Sequence, residues 1–257
     1  METYGVQDIR SLLEAVESVY DSFAGQPWWR GQGEDWPLVP HVHRLDRTRQ
    51  YEANIAIKFE KRARTRHADC PARGQLASWL FLMQHYRLPT RLLDWTESAL
   101  VGLYFAVEQD EHRHEDGVLW ALDPFEMNKQ CTGSWGIHEP GYGLAERLVQ
   151  AAFSPGADYE DNIVALLTEE LDMRMMVQQS GVTIHGSPTP LEDYENVDRF
   201  LQKLTIPAEA KADLLRWVKR LGTRKRALFP DLDHLASDLK EDRYGRPGKF
   251  RRSGPEA

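Results

Sequence analysis

Val6, Ile9, Leu12, Leu13, Val16, Val19, Tyr20 and Phe23 recur at steps of three and four, the stripe of an amphipathic helix lying on a core. The pattern then changes. PWWRGQ, 27–32, is short, aromatic and bounded by Pro and Gly, which predicts a buried strand. Residues 51–67 read as a helix with a basic outer face, and GQLASWLFLMQHY, 74–86, as a more apolar helix. PTRLLDW, 89–95, is too short for a helix after its proline and reads as extended. Thr96 or Ser98 then caps a helix that runs to Glu108. GVLWALDP, 117–124, is a strand ending in a turn. Helical patterns return around 143–152 and over 160–179. VTIHG, 182–186, and the end of DRFLQKLTIP, 198–207, read as strands. PAEAKADLLRWVKRLG, 207–222, is a helix stopped at Gly222, and FPDLDHLASDL, 229–239, a short last helix entered through Pro230 and Asp231.

Short strands mixed with helices in no strict alternation favour an α+β fold over a doubly wound sheet. The expectation is a single domain of short mixed or antiparallel strands with surrounding helices. Its N-terminal helix lies within 1–26, its body spans 27–242, and a flexible basic tail follows over 243–257. A chain of 257 residues is ample for such a core. It holds no apolar run long enough for a membrane span, and its acid-bearing N-terminus is no signal peptide. Cys70 and Cys131 suggest neither a disulfide framework nor a zinc site, which points to a reducing, cytoplasmic setting.

The net charge of -8 is uneven. Residues 41–91 carry eleven Lys/Arg against four Asp/Glu, a balance of +7, so the remainder carries -15. The basic segment 44–66 and the tail RYGRPGKFRRSG read either as a solvated helix face and a loose end, or as an anion-attracting patch for nucleotide phosphates or nucleic acid. A protein partner is a further alternative. No P-loop, GxGxxG, HExxH or GxSxG occurs, which removes the commonest kinase-like, Rossmann, zincin and hydrolase readings.

WWRGQ, followed by QHYRLPTRLLDWTESALVGLYFA, resembles the FRG domain family, named for an aromatic-Arg-Gly motif. RMMVQQSGVTIHG, 174–186, and LTIP with LLRWVKRLG and ALFPDLDHLASDL resemble later family blocks, extending the likeness from Trp28 to Leu239. Trp29 stands at the Phe position of the motif, Arg87 where Gly is usual, Ala99 where Pro is common and Gly102 where Ala is common. The family name does not give a reaction. A fold-level resemblance to ADP-ribosyltransferases of the Arg-Ser-Glu kind implies NAD or a related nucleotide as ligand, and transfer or hydrolysis of its ADP-ribosyl group, in a toxin or phage-defence setting. It implies no metal. It also requires a catalytic Glu, and none can be placed.

The candidate residues follow. Arg30, in an aromatic strand beside Gly31, needs an anionic partner, either a ligand phosphate or a carboxylate such as Asp94. His85 is a base, a ribose contact or a helix-end donor. Tyr86 and Trp95 stack on a flat ring or pack in the core. His85, Tyr86 and Asp94 are the candidate catalytic groups; Arg30, Gly31, Arg91, Trp95, Thr96, Arg174 and Gln178 are the candidate ligand-binding ones. Arg91 and Asp94, three apart on an extended segment, face opposite ways, so Arg30 to Asp94 is the favoured pair. His41 and His43, with no third ligand in sight, read as a solvated loop rather than a metal site, and Asp231 and Asp233 as helix-start acids.

Overall fold

The computed structural model describes residues 3–45, 47, 50–158, 160–168, 180–229, 232, 235, 236 and 239. Its centre is a seven-stranded sheet: β1 (Thr3–Gly5), β2 (Trp28–Gln32), β3 (Leu92–Thr96), β4 (Gly117–Leu122), β5 (Ile163–Leu166), β6 (Ser180–His185) and β7 (Leu201–Ile206). The strand order is β1-β7-β4-β2-β3-β6-β5. β1 runs parallel to β7, and all other neighbours are antiparallel. Helices are α1 (Ile9–Ser22), α2 (His41–Arg44), α3 (Gln50–Ala63), α4 (Leu76–His85), α5 (Ala99–Val107), α6 (Pro124–Thr132), α7 (Gly143–Ala152), α8 (Ala208–Arg220) and α9 (Lys225–Leu228). The α+β single-domain expectation holds.

Alternation along the strands sorts the core into two faces. On one face, Trp29, Leu119, Ala121, Leu204 and Ile206 pack under α1, α5 and α8. Leu92, Val164, Leu166, Val182 and Ile184 continue that face under α4 and α7. On the opposite face, Trp28, Leu93, Trp95, Trp120, Leu122, Ile163 and Ala165 pack with Met127 of α6 and with Leu38, Leu191 and Phe200.

Several elements depart from the sequence reading, among them α2 and α9, which no pattern predicted. Thr3–Gly5 is a strand ahead of the N-terminal helix, which starts at Ile9 behind an Asp8–Ser11 capping box. Residues after Asp123 form α6 rather than a turn: Asp123 is the N-cap, accepting from the Phe125 and Glu126 amides, and Pro124 sits where a helix tolerates it. Ile163–Leu166 is a strand, not part of a helix over 160–179. All four of its residues are buried because α6 and α7 cover both its faces, which removes the two-residue period that marks a half-exposed strand. Residues 169–179, the tail, and Pro230, Asp231 and Asp233 lie outside the described residues.

Candidate functional site

β2 is fully paired to β4 on one side, from Trp28↔Leu122 to Gln32↔Val118. On the other side it meets β3 through a single pair, Trp29↔Thr96. Beyond that pair the two strands diverge. A pocket of about 300 Å³ occupies the split, with Arg30 to Gly33 on one wall and Asp94 to Thr96 on the other. Val101, Gly102 and Phe105 of α5 form its base, and Trp36, Arg44 and Gln109 stand around the mouth.

Arg30 ties the split together. Its Nη1 donates to the main-chain oxygen of Asp94 at 2.7 Å. The favoured Arg30–Asp94 pair therefore exists, but through the backbone, not the carboxylate. The carboxylate of Asp94 is exposed, and its Oδ2 accepts from Gln84 Nε2 at 2.8 Å. Arg30 Nε is shielded from solvent and has no hydrogen-bond partner among the described residues. Burial pulls the guanidinium down to about 10, against the support of the Asp94 charge, so it stays cationic at neutral pH. Arg44 lies in the short helix α2, where a solvated loop was expected. Its Nε and Nη2 donate to the carbonyls of Val39 and Pro37 at 2.6 and 3.1 Å, which fixes a second positive charge on the pocket.

Gln32 is 3 % exposed and faces the same way as Arg30, two residues along β2. Its Oε1 accepts from Trp120 Nε1 at 2.9 Å, while its Nε2 has no partner among the described residues. Trp95 is anchored from behind. Its Nε1 donates to Thr183 Oγ1 at 3.1 Å, and Thr183 Oγ1 lies 2.9 Å from His185 Nε2. The Thr183 hydroxyl thus bridges the Trp95 indole and the His185 imidazole. His185 is fully buried and held neutral by that burial. His43 Nε2 donates to the His185 carbonyl at 3.2 Å, and burial pulls its ring down to about 4.

The structure divides the candidate residues. Arg30, Gly31, Asp94, Trp95 and Thr96 line the pocket. Arg91, Tyr86 and His85 do not. Arg91 is 6 % exposed, donates through Nε and Nη2 to Glu52 Oε2 at 2.9 and 2.7 Å, and reaches Leu148 O at 3.2 Å. It joins α3 to the strand leading into β3 and is a buried structural ion pair. Tyr86 is 51 % exposed and packs edge-on against His85, with Phe59 and His67 beside it, away from the pocket. Arg174 and Gln178 lie outside the described residues. Thr96 Oγ1 accepts from the Ser98 amide, and Ser98 is the cap of α5.

Gly31 has a packing role. A Cβ there would lie 1.9 Å from Gly102 O and 2.6 Å from Ala106 N, both main-chain atoms of α5. Arg87, at the position where the family usually carries Gly, has φ of 61°, the left-handed conformation that glycine adopts without cost.

In the basic segment, Arg64 pairs with Glu60 at 3.4 Å and lies over the Trp79 ring. Arg47 lies over Tyr51, and Arg66 Nη1 donates to the Arg62 carbonyl at 2.8 Å. Burial pushes the Cys131 thiol up to about 11. No cluster of metal-ligating side chains is present among the described residues, nor any helix long and apolar enough to cross a membrane.

The sequence reading missed Gln32, Trp36, Arg44, Glu52, Thr183 and His185. Glu52 left a signal, since it lies on the same helical stripe as Ala56 and Ala63, and an acid among buried positions needs a cation. Gln32 left none, since its partner Trp120 is distant in the chain.

No curated protein and no solved structure matches this chain. The family model of the FRG domain matches residues 25–115, a stretch that contains every residue lining the pocket between β2 and β3. The chain carries an FRG domain, and the split in the sheet lies within it.

Proposed function

We propose that the split pocket binds a nucleotide, with NAD the leading candidate, and that the domain transfers or hydrolyses its ADP-ribosyl group. The observation that carries this reading is Arg30: a cation that lines the pocket, with an Nε–H that is shielded from solvent and without a partner among the described residues. An unanswered buried donor is costly, and a phosphate oxygen meets it with a charge-assisted bond. Arg44 adds a second positive charge, and Trp36, Trp95 and Phe105 offer flat apolar surface for a ring. At about 300 Å³ the pocket suits one nucleotide half, leaving the other half of NAD at the open mouth. Asp94 supplies the carboxylate that the chemistry of a departing ribose needs, where positive charge develops on the sugar. Gln84 and the Arg30 strap hold it in place.

The test is a titration of the full chain with NAD, ADP-ribose and AMP, read by calorimetry and by tryptophan fluorescence. Wild type should bind at least one of them saturably, and Arg30→Met should lose that binding while keeping its far-UV spectrum and cooperative melt. Asp94→Asn should bind NAD but release no nicotinamide. Absence of saturable binding by wild type, or equal binding by a folded Arg30→Met, overturns the reading.

A further inference from the structure

We infer that Gln32 selects the ligand by demanding an acceptor: it is a one-way hydrogen-bond donor that reads the phosphate oxyanion beside Arg30. The orientation of a glutamine amide is ordinarily ambiguous, because oxygen and nitrogen exchange places by a flip. Here it is fixed. The indole Nε1–H of Trp120 can only donate, so the atom it meets at 2.9 Å must be the amide oxygen. Trp120 is 1 % exposed, and its backbone is locked between β2 and β7, so this donor does not move away.

The consequence falls on Nε2. Its protons find no acceptor among the described residues, in a residue 3 % exposed that lines the pocket. Trp29 Nε1, on the opposite strand face, is also without a partner among the described residues; Arg30 Nε, on the same face as Gln32, is the other orphan there. Their Cα atoms are about 7 Å apart, two strand steps, which lets the two side chains grip different oxygens of one anionic group. Both orphans are donors, so the inner wall rejects a ligand group that itself donates and accepts one carrying only acceptors. This rests on the nucleotide reading above and deepens it. It adds that the phosphate, rather than the ring or the sugar, is what the inner wall recognises.

The experiment compares AMP with adenosine on wild type, Gln32→Glu, Gln32→Met and Trp120→Phe, each checked for a cooperative melt. Gln32→Glu keeps an oxygen for Trp120 but replaces the donor with a negative charge. It should weaken AMP about 100-fold or more and leave adenosine within about 3-fold of wild type. Gln32→Met should weaken AMP about 10- to 100-fold, the worth of one hydrogen bond to a charged group. Trp120→Phe, outside the pocket lining, should weaken AMP about 3- to 10-fold by freeing the amide to turn. A structural role would lower both ligands alike, so an unchanged AMP-to-adenosine ratio in a folded Gln32→Glu overturns the inference. If that variant keeps wild-type AMP affinity while Arg30→Met loses it, the inference fails and the nucleotide reading stands. If wild type binds neither AMP nor inorganic pyrophosphate, both fail.

Discussion

The aromatic-Arg-Gly motif invites the view that its glycine serves the ligand. The geometry assigns it to the strand–helix contact, and a pair of substitutions separates the two. In Gly31→Ala the new Cβ would sit 1.9 Å from Gly102 O, where real Cβ contacts stay beyond 3.0 Å, so β2 and α5 must part by about 1 Å. A gap of that size forfeits a quarter to a half of each dispersion contact along the interface. That interface includes Trp29, Leu103 and Ala106, all within 1 % of full burial. Overpacking typically costs about 1–3 kcal/mol, and a clash against main chain on both sides belongs at or above the top of that range. Gly102→Ala, directly opposite, is the control. Its Cβ would meet Leu119 Cδ1 at 2.8 Å and Trp29 Cβ at 3.0 Å, side-chain atoms of which the first can turn away. Replacing a mid-helix glycine also recovers about 1 kcal/mol of helix propensity, so this variant should lie within about 1 kcal/mol of wild type. Urea unfolding followed by far-UV circular dichroism gives both numbers. Equal stabilities for the two variants, or a Gly31→Ala loss below about 1 kcal/mol, would refute the reasoning.

Three further outcomes are expected. Glu52→Ala leaves Arg91 buried without its carboxylate and should cost about 3–5 kcal/mol in the same unfolding assay, whereas the double replacement Glu52→Met with Arg91→Met should recover most of that loss; a single-variant loss under 1 kcal/mol argues against a structural pair. His43 and His185 are held neutral by burial, so the unfolded chain takes up protons below about 6.5 that the folded chain refuses. Stability should therefore fall as pH drops from 6.5 toward 4, with His43 contributing up to about 3 kcal/mol, and His43→Gln should flatten that slope; an identical slope in the variant sinks the assignment. Arg87→Gly should stabilise by about 1 kcal/mol, since a side chain at φ 61° is strained; thermal melting that shows a loss would mean the Arg87 side chain contributes more than its backbone costs.

Much of the architecture was legible because burial on one face leaves a period. The stripe from Ile9 to Val19 and the aromatic run Trp28–Gln32 both became the elements they predict. Ile163–Leu166 was not legible, because helices on both faces erase alternation. α6 hid behind Asp123 and Pro124, which look alike in a turn and at a helix start. The site was half legible. Arg30, Asp94 and Trp95 sit in local motifs and do line the pocket. Arg91 misled, because an arginine in such a block looks the same whether it faces a phosphate or Glu52, and Glu52 arrives from a different helix. Gln32 acquires its meaning from Trp120 on another strand, a relation that no local pattern carries.

One residue pair, Trp29↔Thr96, joins the half-sheet β1-β7-β4-β2 to the half-sheet β3-β6-β5. The sheet therefore has a seam. α1 and α8 pack on one half and α4 and α7 on the other. α5, which follows β3 and packs on β2, crosses it beside that pair, as does the strap from Arg30 to Asp94 O. Whatever fills the split sits where the two halves share the fewest main-chain bonds, and adds its own bonds to both.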